Sequence, residues 1–147
     1  MLDKAIAISR IAHDGQVDKA GKPYIDHPLR VMNNMETVEE KIVGVLHDAV
    51  EDSDLTLEDL RIAGFSDVII EAIDAITKRE GEKRKDYLNR VMNNPLALRV
   101  KIADMTDNMD ISRISNPTDR DRERIRIYKK TIIKLQKKLE NYDHLLS

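Results

Sequence analysis

His47, Asp48, Glu51 and Asp52 crowd four ionisable side chains into six residues. Read on a helix, His47 pairs with Glu51 and Asp48 with Asp52 at spacings of four, so the groups line two adjoining strips. Around them stand Val43, Val45, Leu46, Ala49 and Val50, neighbours that predict a buried setting. Burying that many carboxylates without positive partners costs several kcal/mol, and a bound divalent cation is the simplest compensation. The plainer alternative is a strip that faces solvent and merely solvates a helix end. The chain has no cysteine, which excludes disulfides and thiolate sites. Any metal is therefore held by His, Asp, Glu or water, a donor set that suits Mn, Mg, Fe or Zn.

Other candidates lie further along the chain. His27 closes Pro23-Tyr24-Ile25-Asp26-His27-Pro28, where the following proline suits a helix start; by itself it is as readily a capping or surface residue. Asp104 lies in Val100-Lys101-Ile102-Ala103-Asp104-Met105-Thr106-Asp107-Asn108, and Lys101, Asp104 and Asn108 share one helical face. An ordinary Lys–Asp surface pair would look the same. His13 reads as a helix-end or core histidine, and His144 as a solvated residue of a polar tail.

The elements that must carry these groups are helical. Leu2, Ala5, Ile6, Ser9, Ala12 and His13 recur at spacings of three and four and predict a one-sided helix ending near Gly15. Gly15 to Pro28 holds two Gly and two Pro in a polar setting and reads as an ordered functional loop. Thr37-Val38-Glu39-Glu40 is a capping-box pattern, and the apolar positions after it predict a helix from about 38 to 52. Thr56 to Asp59 opens a short helix stopped by Gly64, and Ser66 caps a third that carries Val68, Ile69, Ala72, Ile73 and Ile76. Lys78 to Lys85 reads as a loop and Asp86 to Met92 as a helix. Pro95 starts a helix to about Asp110, and Asn116-Pro117-Thr118 opens a long terminal helix to about Leu145.

Length and composition bound the rest. The 147 residues suit one all-α domain over 1–147, a single compact helical bundle with one core. Aromatic residues are only 3%, so the core must be aliphatic, and 35% charged residues favour helices over sheets. Twenty-five basic against 27 acidic residues give a net charge of −2, which offers no positive field for polymeric nucleic acid. No apolar run approaches the roughly 20 residues of a membrane span, and Met1-Leu2-Asp3-Lys4 lacks a signal-peptide pattern. A cytoplasmic protein with no membrane partner is expected.

Taken in order, several short segments resemble the motifs of the HD hydrolase superfamily. They are Ala12-His13-Asp14-Gly15-Gln16, Gly21-Lys22-Pro23-Tyr24-Ile25-Asp26-His27-Pro28, Leu46-His47-Asp48-Ala49-Val50-Glu51-Asp52, Ala75-Ile76-Thr77, and Lys101-Ile102-Ala103-Asp104 through Asn108. More narrowly, the chain is similar to the hydrolase half of RelA/SpoT-type proteins and to stand-alone small alarmone hydrolases, over about residues 5 to 130. The resemblance implies an HD-type all-α fold that hydrolyses the 3′-pyrophosphate of guanosine alarmones such as ppGpp, with Mn²⁺ or another divalent cation. It implies metal ligands at His27, His47, Asp48 and Asp104. Glu51 and Asp52 then position and activate the attacking water, and Asn108 contacts a small nucleotide substrate beside the metal. Such a metal lowers the pKa of bound water while nearby carboxylates orient that water and accept its proton.

Substrate phosphates also need positive groups, because the acidic motif repels them. Lys19, Lys78, Arg84, Lys85 and Arg124 are the candidates, each with the alternative of a solvated surface charge. Arg124 and Tyr128, four apart on the terminal helix, occupy positions resembling substrate contacts of animal SpoT homologues.

The chain departs from the family in two places. Where the family often carries an Arg packed on the guanine, two residues after the Gln of His-x-Gly-Gln, this chain has Asp18. A carboxylate cannot stack as a guanidinium does, although it can accept a hydrogen bond from a base. The family's Arg and Thr after Asn108 are likewise replaced, by Asp110 and Ile111. The hydrolytic machinery is therefore complete while base recognition is altered. One alternative is an HD phosphohydrolase of another nucleotide, such as ppApp, a nucleoside monophosphate or NADPH. The other is a non-catalytic nucleotide-binding regulator, against which the retention of every implied ligand and both acids counts. The length leaves no room for a synthetase domain, so degradation without synthesis is expected.

Overall fold

A computed structural model describes residues 1–146. The apolar stripe near the start winds into α1 (Leu2–Ala12), burying Ala5 and Ser9. His13 caps it, and Gly15 turns the chain away with a φ of 79°, a region that favours glycine. The loop that follows is ordered without being helical: Val17 bridges Pro23, and Asp18 Oδ1 accepts from the amides of Ala20 and Lys22, both at 2.9 Å. Helix α2 (Asp26–Asn33) starts two residues before Pro28, which sits in the first turn where its missing N–H costs nothing.

Thr37 and Glu40 form the capping box, Glu40 N donating to Thr37 Oγ1 at 3.1 Å, and start α3 (Val38–Leu46). The continuous helix expected from 38 to 52 does not form. It breaks after Leu46 and resumes as α4 (Ala49–Asp52), with His47 and Asp48 in a turn between them. The His47 ring gives the physical reason. Its Nδ1 donates to Gly44 O at 2.6 Å, taking the carbonyl that the Asp48 amide would use in an unbroken helix.

Helices α5 (Leu57–Ile62) and α6 (Asp67–Ile76) follow behind their Thr56 and Ser66 caps. Helix α7 (Arg84–Met92) begins two residues earlier than the polar segment suggested, so Arg84 and Lys85 are helical rather than in a loop. Helix α8 (Pro95–Asn108) opens on the Asn94 cap, and after a 3-10 turn (Ile111–Arg113) the chain ends in α9 (Asp119–Leu146). Among the described residues no strand forms, and no helix is long and apolar enough to cross a membrane.

The one core expected from length is divided among the described residues into two apolar clusters. The first gathers Val31, Val43, Leu46, Leu60, Ile70 and Ile73 from α2, α3, α5 and α6. The second joins Leu88, Val91, Leu98, Met105, Ile132 and Leu135 from α7, α8 and α9. Helix α8 is the wall between them, with Ala97 and Val100 on one side and Leu98 and Met105 on the other. Asp104 is carried into the interior on this wall and is only 5% exposed. Gly44 lets α3 approach α2 closely, since a Cβ there would stand 3.3 Å from Met32 Cα.

Candidate metal centre

His27 comes from the first turn of α2, His47 and Asp48 from the break between α3 and α4, and Asp104 from α8. The break matters here. In an unbroken helix adjacent side chains diverge by about 100°, whereas His47 Nε2 lies 3.0 Å from Asp48 Oδ2. Asp104 Oδ1 is 2.8 Å from His27 Nε2 and 3.1 Å from His47 Nε2, and Asp48 Oδ2 is 3.7 Å from His27 Nε2. One donor atom from each of the four residues lies within 4.8 Å of the others. Donors held at about 2.0 to 2.3 Å from a divalent ion stand about 3 Å apart at right angles. Two imidazoles and two carboxylates at this spacing fit such an ion.

A second layer orients the four. His27 Nδ1 donates to Asp107 Oδ2 at 2.6 Å and His47 Nδ1 to Gly44 O, so each ring turns Nε2 toward the centre. The Tyr24 hydroxyl donates to Asp48 Oδ2 at 2.5 Å. Lys101 Nζ donates to Asp104 Oδ2 at 3.1 Å and Asn108 Nδ2 to Asp104 Oδ1 at 3.2 Å. Lys101 and Asp104 are thus an interior pair rather than a surface one.

The electrostatics are those of a site built for positive charge. Burial pushes the His47 imidazole toward its neutral form, yet Asp48 and Asp104 hold its proton affinity well above the ordinary value. Burial also pushes Asp104 up, but His47 and Lys101 keep it well below the usual carboxylate range. Burial and the adjacent Asp48 make the Tyr24 hydroxyl harder to ionise.

Glu51 and Asp52 project from α4 and are largely exposed, whereas His47 is buried and Asp48 half-buried, so the buried strip read in the sequence holds for its His47–Asp48 half alone. Glu51 Oε1 accepts from the Lys78 amide at 2.9 Å. Partial burial, with Asp48 and Glu51 nearby, pushes the Asp52 carboxyl up to about 6.

A pocket beside His27 is lined by Lys19, Asn108, Arg113 and Arg124. Lys19 Nζ pairs with Asp121 Oδ1 at 3.0 Å, and the Arg124 guanidinium lies 5.9 Å from the centre of the Tyr128 ring. Lys78 lies elsewhere, in a groove with Glu51 and Arg79. Tyr128 packs against the second apolar cluster, and Arg84 and Lys85 line a groove with Lys130 and Lys134. Asp18 does border the pocket, but one of its oxygens is occupied by the two loop amides. It shapes the turn that presents Lys19. Tyr24, Arg30, Asp107 and Arg113 were not foreseen from the sequence, whereas Lys101 was, as a helical neighbour of Asp104. For Asp107 a signal existed, since it follows Asp104 by three and shares its helical face.

No protein-family model matches the chain. Among curated proteins it is similar to a GTP pyrophosphokinase of Streptomyces coelicolor, 35% identical over 121 residues, with 74% of this chain and 14% of the relative covered. It is also similar to a guanosine-3′,5′-bis(diphosphate) 3′-pyrophosphohydrolase of Vibrio cholerae, 33% identical over 127 residues, with 74% of this chain and 17% of the relative covered. The chain therefore spans only about a sixth of the length of these relatives. Among solved structures, a metazoan ortholog of SpoT, described as hydrolysing ppGpp and playing a role in starvation responses, shares the fold. Its TM-score is 0.75 at 20% identity, covering 95% of this chain and 92% of that one.

Proposed function

The chain is an HD hydrolase-type domain of the RelA/SpoT kind, and from that premise we propose that it is a divalent-metal phosphohydrolase of ppGpp-type nucleotides, taking 1–147 as one domain. The supporting observation is the convergence of His27, His47, Asp48 and Asp104. Manganese suits this donor set, which leaves positions for water and phosphate. When bound, such an ion lowers the pKa of water toward neutrality and polarises a phosphoryl oxygen.

The side chains supply the rest. Asp52, whose carboxyl is pushed up to about 6, takes the proton of the attacking water, and Glu51 orients that water. The water oxygen bonds to the phosphorus next to the 3′ oxygen, the bond from that phosphorus to the 3′ oxygen breaks, the proton taken by Asp52 is returned through solvent to the 3′ oxygen to give the free hydroxyl, and diphosphate is released. Asn108, Lys19 and Arg124 bind the phosphates of the nucleotide in the adjoining pocket. The proposed setting is the cytoplasm, with a small nucleotide as partner and neither membrane nor polymeric nucleic acid involved.

The test is a hydrolysis screen of the purified protein loaded with Mn²⁺, Mg²⁺, Fe²⁺ or Zn²⁺ against ppGpp, pppGpp, ppApp, NADPH and nucleoside monophosphates. Diphosphate release from ppGpp and pppGpp is expected. Orthophosphate release from NADPH or monophosphates alone would overturn the assignment.

A further inference from the structure

The two imidazoles of the candidate centre are backed by unlike groups. Behind His47 stands a neutral acceptor, the Gly44 carbonyl, while behind His27 stands a carboxylate, Asp107 Oδ2, 2.6 Å from Nδ1. That carboxylate is almost fully buried, with 7% of its side chain exposed. It is held in turn by two guanidiniums from different elements. Arg30 of α2 donates to both its oxygens, at 2.9 and 3.1 Å, and Arg113 of the 3-10 turn pairs with Oδ1 at 2.9 Å.

We propose that Asp107 is a positioning residue that makes His27 the stronger of the two imidazole donors, with Arg30 and Arg113 locking its carboxylate in place. The inference rests on the metal reading above. A charged acceptor at Nδ1 fixes the tautomer, prevents the ring from flipping and raises the basicity of Nε2, and partners of this kind are worth about 10- to 100-fold in metal affinity. A surface ion pair would not reach the imidazole. Here the carboxylate spans both the guanidiniums and the ring.

The experiment measures Zn²⁺ and Mn²⁺ affinity by competition with a chromophoric chelator for the wild-type chain and its D107A, D107N and R113Q variants. It is paired with ¹⁵N NMR of the Zn²⁺-loaded protein to read the His27 tautomer. Asp107→Ala is expected to weaken both metals about 10- to 100-fold and to lose the Nδ1-protonated signature. Asp107→Asn keeps an acceptor without charge, so its loss should be smaller with the signature retained. Arg113→Gln removes one of the two guanidiniums that lock Asp107 while Arg30 keeps its own contacts, so its loss should be smaller than that of Asp107→Ala. Metal binding by Asp107→Ala equal to wild type overturns the proposal, as does an equal loss in Arg113→Gln. If Asp107→Ala does not fold, the isosteric Asp107→Asn decides by the same affinity and tautomer readouts. A wild-type chain that binds neither metal would instead sink the metal reading itself.

Discussion

Gln16 Nε2 donates to the backbone carbonyl of Asp52 at 2.9 Å, joining the loop after α1 to the end of α4. The same nitrogen reaches Ala12 O at 3.3 Å, so the amide oxygen must be the atom turned to His13 Nδ1, 2.8 Å away. The reverse placement would set an oxygen against two carbonyls. His13 therefore carries its proton on Nδ1 and donates it to Gln16 Oε1. This pair anchors the helix end that presents Glu51 and Asp52. Gln16→Ala should lower turnover roughly 10- to 100-fold, the scale of small misplacements, with metal content unchanged in elemental analysis. Full turnover in that variant would disprove the anchoring.

Asp104 faces both imidazoles, Lys101 and Asn108. Asp104→Ala should lose metal and activity together. Calorimetry gives an independent check. Manganese at about 100 times its dissociation constant should stabilise the wild type by about 2.7 kcal/mol. A chelator should abolish the gain, and Asp104→Ala should show none. A thermal shift that persists in the variant would place the metal elsewhere.

On the proposed mechanism the acidic pair separates binding from chemistry. Glu51→Gln or Asp52→Asn should keep metal but lower the catalytic rate at least roughly 100-fold. Asp52 is competent as a base only when ionised, so activity should fall with pH on the acid side of about 6. A cation beside Asp48 draws the proton off Asp52, which moves this limb downward. The rate of Asp52→Asn should lack the limb. An identical pH profile for both proteins would assign the titration to another group.

A stability test lies away from the site. Arg90 Nε and its terminal nitrogen donate to the two oxygens of Glu82, both at 2.8 Å, while Arg90 also holds the carbonyls of Asp74 and Thr77. The Arg90 contact and the Arg79 amide lower the Glu82 carboxyl from 4.5 to about 2. A carboxyl lowered on folding stabilises the fold fully above its unfolded value and loses that contribution as pH falls from 4.5 toward about 2. Glu82→Gln should therefore melt below wild type at pH 7, with the gap closing toward pH 2. A gap that does not change with pH would show that the charge is irrelevant.

The helices were legible because their ends are written locally: Thr37, Thr56, Ser66 and Asn94 each cap with their own side chain. That His27, His47, Asp48 and Asp104 would come together was legible through the order of the motifs. The break at His47 was not, because it depends on a ring hydrogen bond competing with the backbone, and periodicity records only which residues are apolar. Asp107 and Arg113 were overlooked for a related reason. Their importance comes from α2, α8 and the 3-10 turn meeting in space, and nothing in the local pattern around Arg113 announces that meeting.

Gly44 has no side chain, yet it sets the distance between α2, which bears His27, and α3, which leads to His47. A methyl group there would stand 3.3 and 3.4 Å from the Met32 Cα and N, so α2 would have to give by a few tenths of an ångström. Small cations tolerate such widening least: magnesium needs oxygen ligands near 2.0 to 2.1 Å, whereas calcium accepts about 2.3 to 2.6 Å. Gly44→Ala should therefore shift relative affinity from Mg²⁺ toward Ca²⁺, measurable by titration of each ion, and an unchanged ratio would show that the helices absorb the methyl group elsewhere. The choice of cation by size would then reside in the thickness of a helix contact, at a position where a search for reactive side chains would find nothing.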